Sequence, residues 1–589
     1  PDLDELYMTA VQLATGRGGW PMTLFLLPNR VPFFAGTYFP PQSRQGTPGF
    51  MDICQQIALL WSERRDQLLE AASQFESSLK RATDMHAPES APPMNLEPIR
   101  ALIGDLWSKF DAENGGFGGA PKFPPHSALR LLGEPWLSDT HAPTMLVQTL
   151  DRMAQGGIHD AVGGGFHRYS TDQFWHLPHF EKMLADNAQM LTVLAGPVGP
   201  TQSKMNWVWA AARLVEWAER DLLLPNGMFA SALDADSDGA EGSTYVWTLD
   251  EVQQILSNRS AAFCEHYAVL EAGNYREEAT QELNGTNVLH GVTAEHARFE
   301  SELNALRDHR AGRPRPFLDH KAVAAWNGLM IEGLCRANRL DLAKTCALAW
   351  QKHFAANGFL PHMVTDDVAS EPGFLDDSVW MAIGILELND ALALRGETQP
   401  VLVEFAENLV TEILGSFFEP NNELPHYRRA CHEPLFAEVR PMFDQVLPCP
   451  MSGLIEVFRQ SGRFAEASAL ASTMWRFAAS VPTASEGALW AIGRLLQDPS
   501  VTAAETKLHA TETLAGHWRI ELPTTFACNE LHARVGLESG VVMPAVAKFE
   551  SGAWRITWQS DQPVQKLMLQ VCREGACEPW KCYEVDAGR

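Results

Sequence analysis

The sequence lacks any run of 18 apolar residues and any block of five or six like charges. The first absence excludes a membrane-spanning helix. The second, together with a net charge of −27, argues against binding to nucleic acid or to an anionic membrane, because both require a basic face. With 46% apolar and 20% charged residues in 589, the composition predicts a soluble globular protein of more than one domain.

Two common enzyme motifs are also absent. The sequence contains neither a G-x-S-x-G elbow nor a GxxxxGK[ST] phosphate loop. These absences set aside the serine hydrolases of the α/β fold and the P-loop nucleotide sites. We expect no cofactor.

Cysteines are few and mostly scattered singly, as is typical of reduced thiols, so we expect a cytoplasmic protein. Cys572, Cys577 and Cys582 form the one tight cluster, near the end of the chain. They could form a disulfide or contribute to a zinc site, but three ligands are incomplete for zinc, and we predict no metal.

Residues 1–85 predict the C-terminal part of a thioredoxin-like domain. A helical pattern is followed by Trp20-Pro21, an apolar stretch of strand length, the turn at 28–30, a second strand and a helical pattern from about 48 to 83. This is the element order of the second half of a thioredoxin fold, in which the proline bond is cis. We therefore predict a cis bond at Pro21, the alternative being a trans proline in a plain turn.

Proline-rich residues 86–98 predict a linker. From 99 to 500 helical patterns dominate, and a Gly-Phe signature recurs at Phe117, Phe166, Phe229 and Phe359, with spacings of 49, 63 and 130 residues. A repeat of this length predicts helical hairpins, which bury their apolar faces if they close into an (α/α)6 toroid; an open solenoid is the alternative. Strand patterns over 510–589 predict a small β-rich C-terminal domain.

The stretch GGGFHRYSTDQFWHLPHFEKMLADN, residues 163–187, concentrates titratable groups between a glycine-rich loop and a helix that we expect to begin near Phe180. Histidines titrate near neutral pH and can act as general acid or base, with nearby acids as partners. Each histidine could instead simply bond a loop.

Three further segments carry candidate residues. Asp234 to Gly242 opens like a calcium loop, but Tyr245 stands where a glutamate ligand is required, so a rim loop that supplies carboxylates is favoured. Residues 313–327 and 374–378 are loop-to-helix entries, where Asp319, Asp376 or Asp377 could also be helix caps. We expect all four segments to meet at one mouth of the toroid. The predicted catalytic residues are His179, Glu181, His167, Asp234 and Asp236, and the predicted substrate-binding residues are Arg168, Trp175, His176, Lys182, Asp186, Glu241, Arg315, Asp319, Lys321, Trp326, Asn327 and Asp376.

The chain resembles the spermatogenesis-associated protein 20 family over nearly its whole length. The motifs that carry the resemblance are GGWPMTLFLLP, PFFAGTYFPP, GGFGGAPKFP, GGGFHRYSTDQFWHLPHFEKMLADN, DADSDGAEGSTYVW, RPRPFLDHKAVAAWNGLMI and VCREGAC. The resemblance implies a thioredoxin-like domain fused to a six-hairpin toroid similar to N-acylglucosamine 2-epimerases and related glycosidases. It also implies a CxxC-type motif upstream, so we expect an N-terminally truncated chain. The chain departs from the family pattern at Asp377-Ser378, where a tyrosine is expected, and at His320, where a second acid is expected.

Together these observations predict a carbohydrate-active protein, a sugar epimerase or glycoside hydrolase, with His179 as general acid or base and Glu181 or Asp234 as its partner. The alternative is a thioredoxin-like redox or chaperone protein whose toroid binds a ligand or client without catalysis; a scaffold with a degenerate pocket is a third hypothesis. The expected partners are a small-molecule ligand such as a sugar and a thiol or disulfide client of the full-length protein.

Overall fold

The computed structural model describes residues 1–589 except 45, 84–87, 89–90, 138, 197–201, 277–281, 292–295, 420–422, 499–506, 515–516, 522–529, 538–541, 551–552, 560–563, 574–575, 578–580 and 588–589. The chain packs into two units. One comprises Pro1–Glu89 and Gly415–Met442, and the other Ser90–Leu414 and Phe443–Arg589. Residues 415–442 therefore lie in the first unit, although the sequence placed them in the toroid.

The first unit has the predicted order of helix, hairpin and helix. Its elements are α1 (Asp2–Thr15), β1 (Thr23–Leu26), β2 (Pro32–Gly36), α2 (Phe50–Glu63) and α3 (Arg65–Thr83). The Trp20–Pro21 bond is cis, as predicted. The helix expected over 48–83 is divided at Arg64, whose backbone is not helical, and the division lets α3 pack against α1 and β2.

Six inner helices form the core of the second unit. They are α5 (His126–Leu132), α7 (Leu184–Leu194), α12 (Ala324–Arg336), α14 (Leu375–Leu394), α16 (Pro450–Gln460) and α18 (Glu486–Leu496). Each contacts the next in this order, and α18 returns to contact α5. The ring is therefore closed, which confirms the (α/α)6 toroid and not the open solenoid.

Outer helices alternate with the inner ones along the chain. They are α4 (Glu97–Lys109), α6 (Ala142–Gln155), α8 (Gln202–Trp217), α13 (Leu340–Asn357), α15 (Pro400–Phe417) and α17 (Phe464–Ala478). An insertion between α8 and α12 adds α9 (Leu249–Leu256), α10 (Ser260–His266) and α11 (Glu300–Arg310). Because α4 begins at Glu97, the end of the predicted linker is already helical.

Short strands lie in the loops that lead into the inner helices. They are β3 (Tyr169–Ser170), β4 (Pro178–His179), β5 (Lys182–Met183), β6 (Ala232–Leu233), β7 (Asp236–Ser237), β8 (Ala240–Glu241), β9 (Trp247–Thr248), β10 (Thr286–Asn287), β11 (Leu318–Asp319), β12 (Ala322–Val323), β13 (Met363–Thr365) and β14 (Val368–Ala369). The helix expected near Phe180 in fact begins at Leu184, because residues 182–183 pair with β6 as a strand. Glu181 is therefore not in the first turn of α7.

The C-terminal region is a sheet, as predicted, but with more strands than the sequence pattern showed. It contains β15 (Lys507–Leu514), β16 (His517–Glu521), β17 (Glu530–Leu537), β18 (Val542–Glu550), β19 (Ala553–Gln559), β20 (Val564–Arg573), β21 (Ala576–Cys577) and β22 (Lys581–Ala587). The strand order is β17-β18-β19-β16-β15-β22-β20-β21, and β20 also pairs with β17, so seven strands close on themselves. The side chains of Cys572, Cys577 and Cys582 lie outside the described residues.

A buried charge cluster joins the C-terminal halves of the inner helices. Glu332 of α12, which is fully buried, pairs with Arg130 of α5 at 2.5 Å and with Arg336 at 3.1 Å. Glu456 of α16 pairs with Arg459 at 2.7 Å and with Arg494 of α18 at 3.1 Å. Because each buried carboxylate has at least two arginine partners, the cluster satisfies the charges it encloses and links four helices of the ring. Sequence reasoning did not predict it.

Close backbone contact between α12 and α14 depends on two glycines. A Cβ on Gly328 would lie 2.5 Å from the backbone nitrogen of Met381, and a Cβ on Gly384 would overlap the carbonyl oxygen of Gly328. Only glycine at both positions lets these inner helices approach so closely. The same approach sets the distance between the N-terminal ends of α12 and α14, where candidate site residues lie.

We predict that Gly328→Ala lowers the free energy of unfolding by about 1 to 3 kcal/mol or more, because the added methyl group meets backbone that must shift. The matched control is Gly104→Ala in α4, where a Cβ would meet no atom within 4 Å. That substitution should stabilise the helix by roughly 0.5 to 1 kcal/mol. Urea denaturation followed by circular dichroism measures both, and equal effects of the two substitutions would contradict the packing argument.

Candidate functional site

Three of the four predicted segments meet in a small sheet at the N-terminal ends of α7 and α12. Its strand order is β11-β6-β5. Leu233 is paired with Lys182 on one side and with Leu318 on the other. The fourth segment joins through Asp377 of α14, whose Oδ1 accepts the backbone N–H of Ala325 at 3.1 Å. All four segments therefore meet at one end of the ring.

The stretch that resembles a calcium loop is a β-hairpin. β7 and β8 pair Asp236 with Glu241, and the turn residues Asp238 and Gly239 have φ values of 54° and 76°. Aspartate and glycine tolerate this left-handed backbone better than other residues, which explains the turn. The hairpin brings Glu241 to His179.

His179 is held by carboxylates on both sides. Its Nδ1 lies 2.7 Å from Oε1 of Glu241, and its Nε2 lies 3.8 Å from Oε2 of Glu181. Burial lowers the pKa of His179, but the hydrogen bond to Glu241 and the two negative charges outweigh burial and raise it above its ordinary value. Because Glu241 accepts the Nδ1 proton, Nε2 is left available to bind or release a proton.

Asp186, in the first turn of α7, is a buried acid beside this histidine cluster. Its Oδ2 has no hydrogen-bond partner among the described residues. Burial, with the negative charge of Glu181, raises its pKa to about 7 against the opposing charge of Arg168. Arg168 itself pairs with Glu181 at 3.0 Å. Asp186 is thus protonated near neutral pH for a large part of the time and can donate a proton.

A second histidine with the same arrangement, His362, was missed by sequence reasoning. Its Nδ1 lies 2.7 Å from Oδ2 of Asp377, and its carbonyl accepts the backbone N–H of Ala324 at the start of α12. Burial lowers the pKa of His362, but the charge and hydrogen bond of Asp377 outweigh burial and raise it. The signal that could have indicated it is its position three residues after Phe359, within one of the recurring Gly-Phe turns.

An aromatic column leads from the surface to His179. Phe123, which is 53% exposed, stacks on Tyr169 with ring centroids 4.7 Å apart, and Tyr169 stacks on His179 at 4.9 Å. Backbone hydrogen bonds between Lys122 and Ser170 hold the two loops together. The flat exposed face of Phe123 offers a ligand an apolar surface next to the charged cluster. Sequence reasoning considered tryptophans for this task and overlooked both rings.

A further loop borders the same end of the ring. Asp444 accepts the backbone N–H groups of Cys449 at 2.8 Å and of Gly487 in α18 at 2.7 Å. The carbonyl of Val446 accepts the side chain of Gln189 in α7 at 2.9 Å. Glu486, in the first turn of α18, is mostly buried, and burial raises its pKa to about 7. Neither acid was predicted.

Four predicted site residues lie in the interior, where local contacts account for them. His167 bonds the carbonyl of Phe180 at 2.9 Å through Nδ1, and Lys182 pairs with Asp160 at 2.7 Å. The indole of Trp175 bonds the carbonyl of Asn114, and Asn327 bonds both backbone groups of Phe229. All four are at most 2% exposed, so no ligand is needed to explain them.

The remaining predicted residues lie at or near the surface or in helix first turns. Asp234, Asp236, Arg315 and Lys321 are exposed, and Lys321 pairs with Asp319 at 3.1 Å. Asp319 belongs to β11, so it is not the cap of α12. His176 stacks on His290 with ring centroids 4.0 Å apart. Trp326 is half-buried in the first turn of α12, and Asp376 is buried in that of α14.

Residues 1–80 match the family described as "Thioredox_DsbH: Protein of unknown function, DUF255". The chain is similar to spermatogenesis-associated protein 20. It is 35% identical to the human protein over 447 residues, which is 66% of this chain and 57% of the relative. The rat protein is 34% identical over 66% of this chain and 56% of its own length. The resemblance expected from the motifs is confirmed, and this chain spans less than two thirds of the relatives' length.

Solved structures of sugar-processing enzymes are similar at low sequence identity. They include a D-mannose isomerase (12% identity, TM-score 0.38, covering 66% of this chain and 88% of the other) and the cellobiose 2-epimerase of Spirochaeta thermophila (13%, TM-score 0.26, 65% and 98%). A GH63 mannosylglycerate hydrolase from Thermus thermophilus is 12% identical, with a TM-score of 0.32, over 68% and 99%. Because these TM-scores are below 0.5, the toroid is established by its own helix contacts. Within the described ranges, no helix has both the length and the apolar character that a membrane crossing requires.

We predict that Asp186→Asn stabilises the protein more at pH 8 than at pH 5. The pKa of Asp186 is about 7 in the folded protein and has its ordinary value of 3.8 in the unfolded chain. Between these two pH values the carboxyl is protonated in the folded protein and ionised in the unfolded chain. The free energy of unfolding therefore falls as pH rises from about 4 to 7, by roughly 1 to 3 kcal/mol. Urea denaturation at both pH values measures the difference.

The control is Asp250→Asn, an exposed acid in the first turn of α9. Its effect on the free energy of unfolding should be similar at pH 5 and pH 8. If Asp186→Asn gave the same pH-independent result, the raised pKa would be contradicted.

Proposed function

We propose that the N-terminal end of the helical ring catalyses proton transfer on a small polyhydroxylated carbonyl compound, as a sugar epimerase or isomerase does. The observation that carries the proposal is the pair of carboxylate-bound histidines, His179 with Glu241 and His362 with Asp377. In each, the carboxylate holds Nδ1, and Nε2 makes no hydrogen bond with another described residue. Such a histidine is oriented to remove or return a proton at a fixed position.

Epimerisation and isomerisation adjacent to a carbonyl both require a proton to be removed from carbon and one to be returned. His179 and His362 stand at the ends of helices that are consecutive in the ring, since His362 binds the start of α12 and α7 contacts α12. Removal of the carbon-bound proton places negative charge on the carbonyl oxygen. Arg168 and the protonated carboxyl of Asp186 are the groups in this cluster suited to stabilise that charge.

Sugar-like substrates fit the surroundings of these groups. The exposed face of Phe123 and the stacked Tyr169 suit the apolar face of a pyranose ring, while Glu181, Glu241 and Arg168 offer hydrogen bonds to hydroxyls. Glycoside hydrolysis is the second reaction that the cluster supports. It needs one protonated and one ionised carboxyl group, for which Asp186 with its raised pKa and Glu181 are candidates.

The test is incubation of the protein in deuterated water with a panel of aldoses, ketoses, N-acetyl-amino sugars and disaccharides, read by proton NMR. We predict deuterium exchange at the carbon next to the carbonyl for at least one sugar. His179→Asn and His362→Asn should each lower that rate by about 100-fold or more, the usual contribution of a positioned acid or base. Cleavage without exchange would favour hydrolysis, and neither reaction across the panel would overturn both.

Glu241→Gln provides a readout that a purely structural role would not change. Loss of the carboxylate removes the interaction that raises the pKa of His179. If His179 acts as the base, activity rises with pH through its pKa, so the acid limb of the pH–rate profile should move to lower pH while the maximal rate falls. The matched control is Asp238→Asn in the same hairpin turn, because asparagine tolerates the left-handed backbone there. An unchanged acid limb in Glu241→Gln would contradict this role.

The match of residues 1–80 to a thioredoxin-like family favours a second function, thiol–disulfide chemistry of the whole protein. The two functions are separable. A protein that spans the full length of the relatives should reduce a disulfide substrate, and His179→Asn should leave that rate unchanged while it lowers sugar exchange about 100-fold or more. Loss of both activities in this variant would indicate that the toroid itself serves the redox function.

A further inference from the structure

A second cavity lies away from the end of the ring that carries the histidines. Its volume is about 210 Å³, and it is enclosed by α14, α15, the turn after α16, and strands β17 and β18. Asn389, in its wall, follows Asp377 by 12 residues along α14, a rise of about 18 Å at 1.5 Å per residue. An apolar cavity of about 150 Å³ is large enough for benzene, so this one can hold a small organic molecule.

Two residues of the cavity wall have a buried amide oxygen that makes no hydrogen bond within the described part of the chain. Asn389 and Gln460 are 6% and 2% exposed, and Asn389 Oδ1 and Gln460 Oε1 make no hydrogen bond with any described residue. The orientation of each amide is set by its nitrogen. Asn389 Nδ2 donates to the carbonyl of Leu402 at 3.1 Å, and Gln460 Nε2 donates to Glu387 and Glu456 at 3.0 and 2.8 Å. Because those partners can only accept, the unpartnered atoms are acceptors.

The charged groups of the cavity wall are balanced except for one carboxylate. Arg463 pairs with Glu466 at 2.9 Å, and Arg534 of β17 pairs with Asp390. Glu407, on the exposed rim, makes no ion pair within the described part of the chain. The rest of the wall contains the polar residues Asn408, Thr411 and Ser461 and a larger apolar set, which includes Leu386, Val403, Ala406, Val542 and Met543. The two amide oxygens and the carboxylate of Glu407 therefore favour a ligand that carries hydrogen-bond donors and positive charge on an apolar body.

We propose that this cavity binds a small organic cation, a primary ammonium group on a short aliphatic stem. Its N–H groups would donate to Asn389 Oδ1 and Gln460 Oε1, and the stem would pack against the aliphatic wall. Glu407 attracts the cation at the rim. A buried acceptor without a donor is unfavourable, so a ligand that donates hydrogen bonds to these oxygens gains affinity from them. This proposal does not depend on the function proposed for the histidine end of the ring.

The test is isothermal titration calorimetry of the whole chain with four matched probes: pentylammonium, 1,5-diaminopentane, pentan-1-ol and pentanoate. The two ammonium compounds should bind, pentan-1-ol should bind at least tenfold more weakly than pentylammonium, and pentanoate should not bind detectably. Failure of both ammonium compounds to bind, or equal binding of pentanoate, would overturn the proposal. A crystal grown with pentylammonium that shows only water against Asn389 and Gln460 would overturn it as well.

Two glutamates of α15 supply matched variants. Glu407→Gln removes the rim charge at an exposed position and should weaken pentylammonium binding about tenfold. Glu404→Gln, one turn away and not part of the wall, should change it less than twofold. Asn389→Leu removes an acceptor and should also weaken binding at least tenfold; thermal denaturation checks that this variant is folded. Equal affinities of Glu407→Gln and Glu404→Gln would place the cation elsewhere.

Discussion

The close approach of α12 and α14, which Gly328 and Gly384 permit, is the constraint on which the histidine site depends. At this separation Asp377 of α14 can accept a hydrogen bond from the backbone N–H of Ala325, in the first turn of α12. Its second oxygen can at the same time bind Nδ1 of His362. A larger side chain at either glycine would separate the helix ends, and Asp377 could not then reach both partners. The packing of the ring and the geometry of its candidate catalytic residues are thus set by the same contact.

Buried carboxylates at the two ends of the ring have different surroundings. At the C-terminal ends of the inner helices, arginines surround the buried Glu332 and Glu456, in agreement with the direction of the helix dipoles. At the N-terminal ends, Asp186 and Glu486 are also buried but form no ion pair with any residue that the structure describes, and burial raises the pKa of each to about 7. One end therefore stabilises the ring, while the other holds groups that can exchange protons near neutral pH.

The two candidate sites differ in what they offer a ligand. The histidine site combines proton donors and acceptors with an exposed aromatic face, which suits a reaction on a polar molecule. The cavity beside α14 and β18 combines two amide oxygens that make no hydrogen bond within the described part of the chain with several aliphatic side chains, which suits binding of a cation without chemistry. Because the closed barrel of the C-terminal region forms one wall of that cavity, the barrel contributes to ligand binding in this proposal.

The sequence alone determined the architecture, because the apolar periodicity of the helices and the repeat of Gly-Phe turns are properties of short segments of the chain. They can therefore be recognised without knowledge of which segments contact one another. It also located the loops of the site, since glycine and titratable residues cluster there. Only the tertiary structure decided which side chains face one another. His362, Phe123 and Asp186 acquire their properties from residues distant in the chain, from Asp377, Tyr169 and the surrounding buried helices. Conversely, His167, Lys182 and Trp175 stand in the same stretch as His179, yet packing turns them inward, because burial is a property of the folded surface and not of a motif.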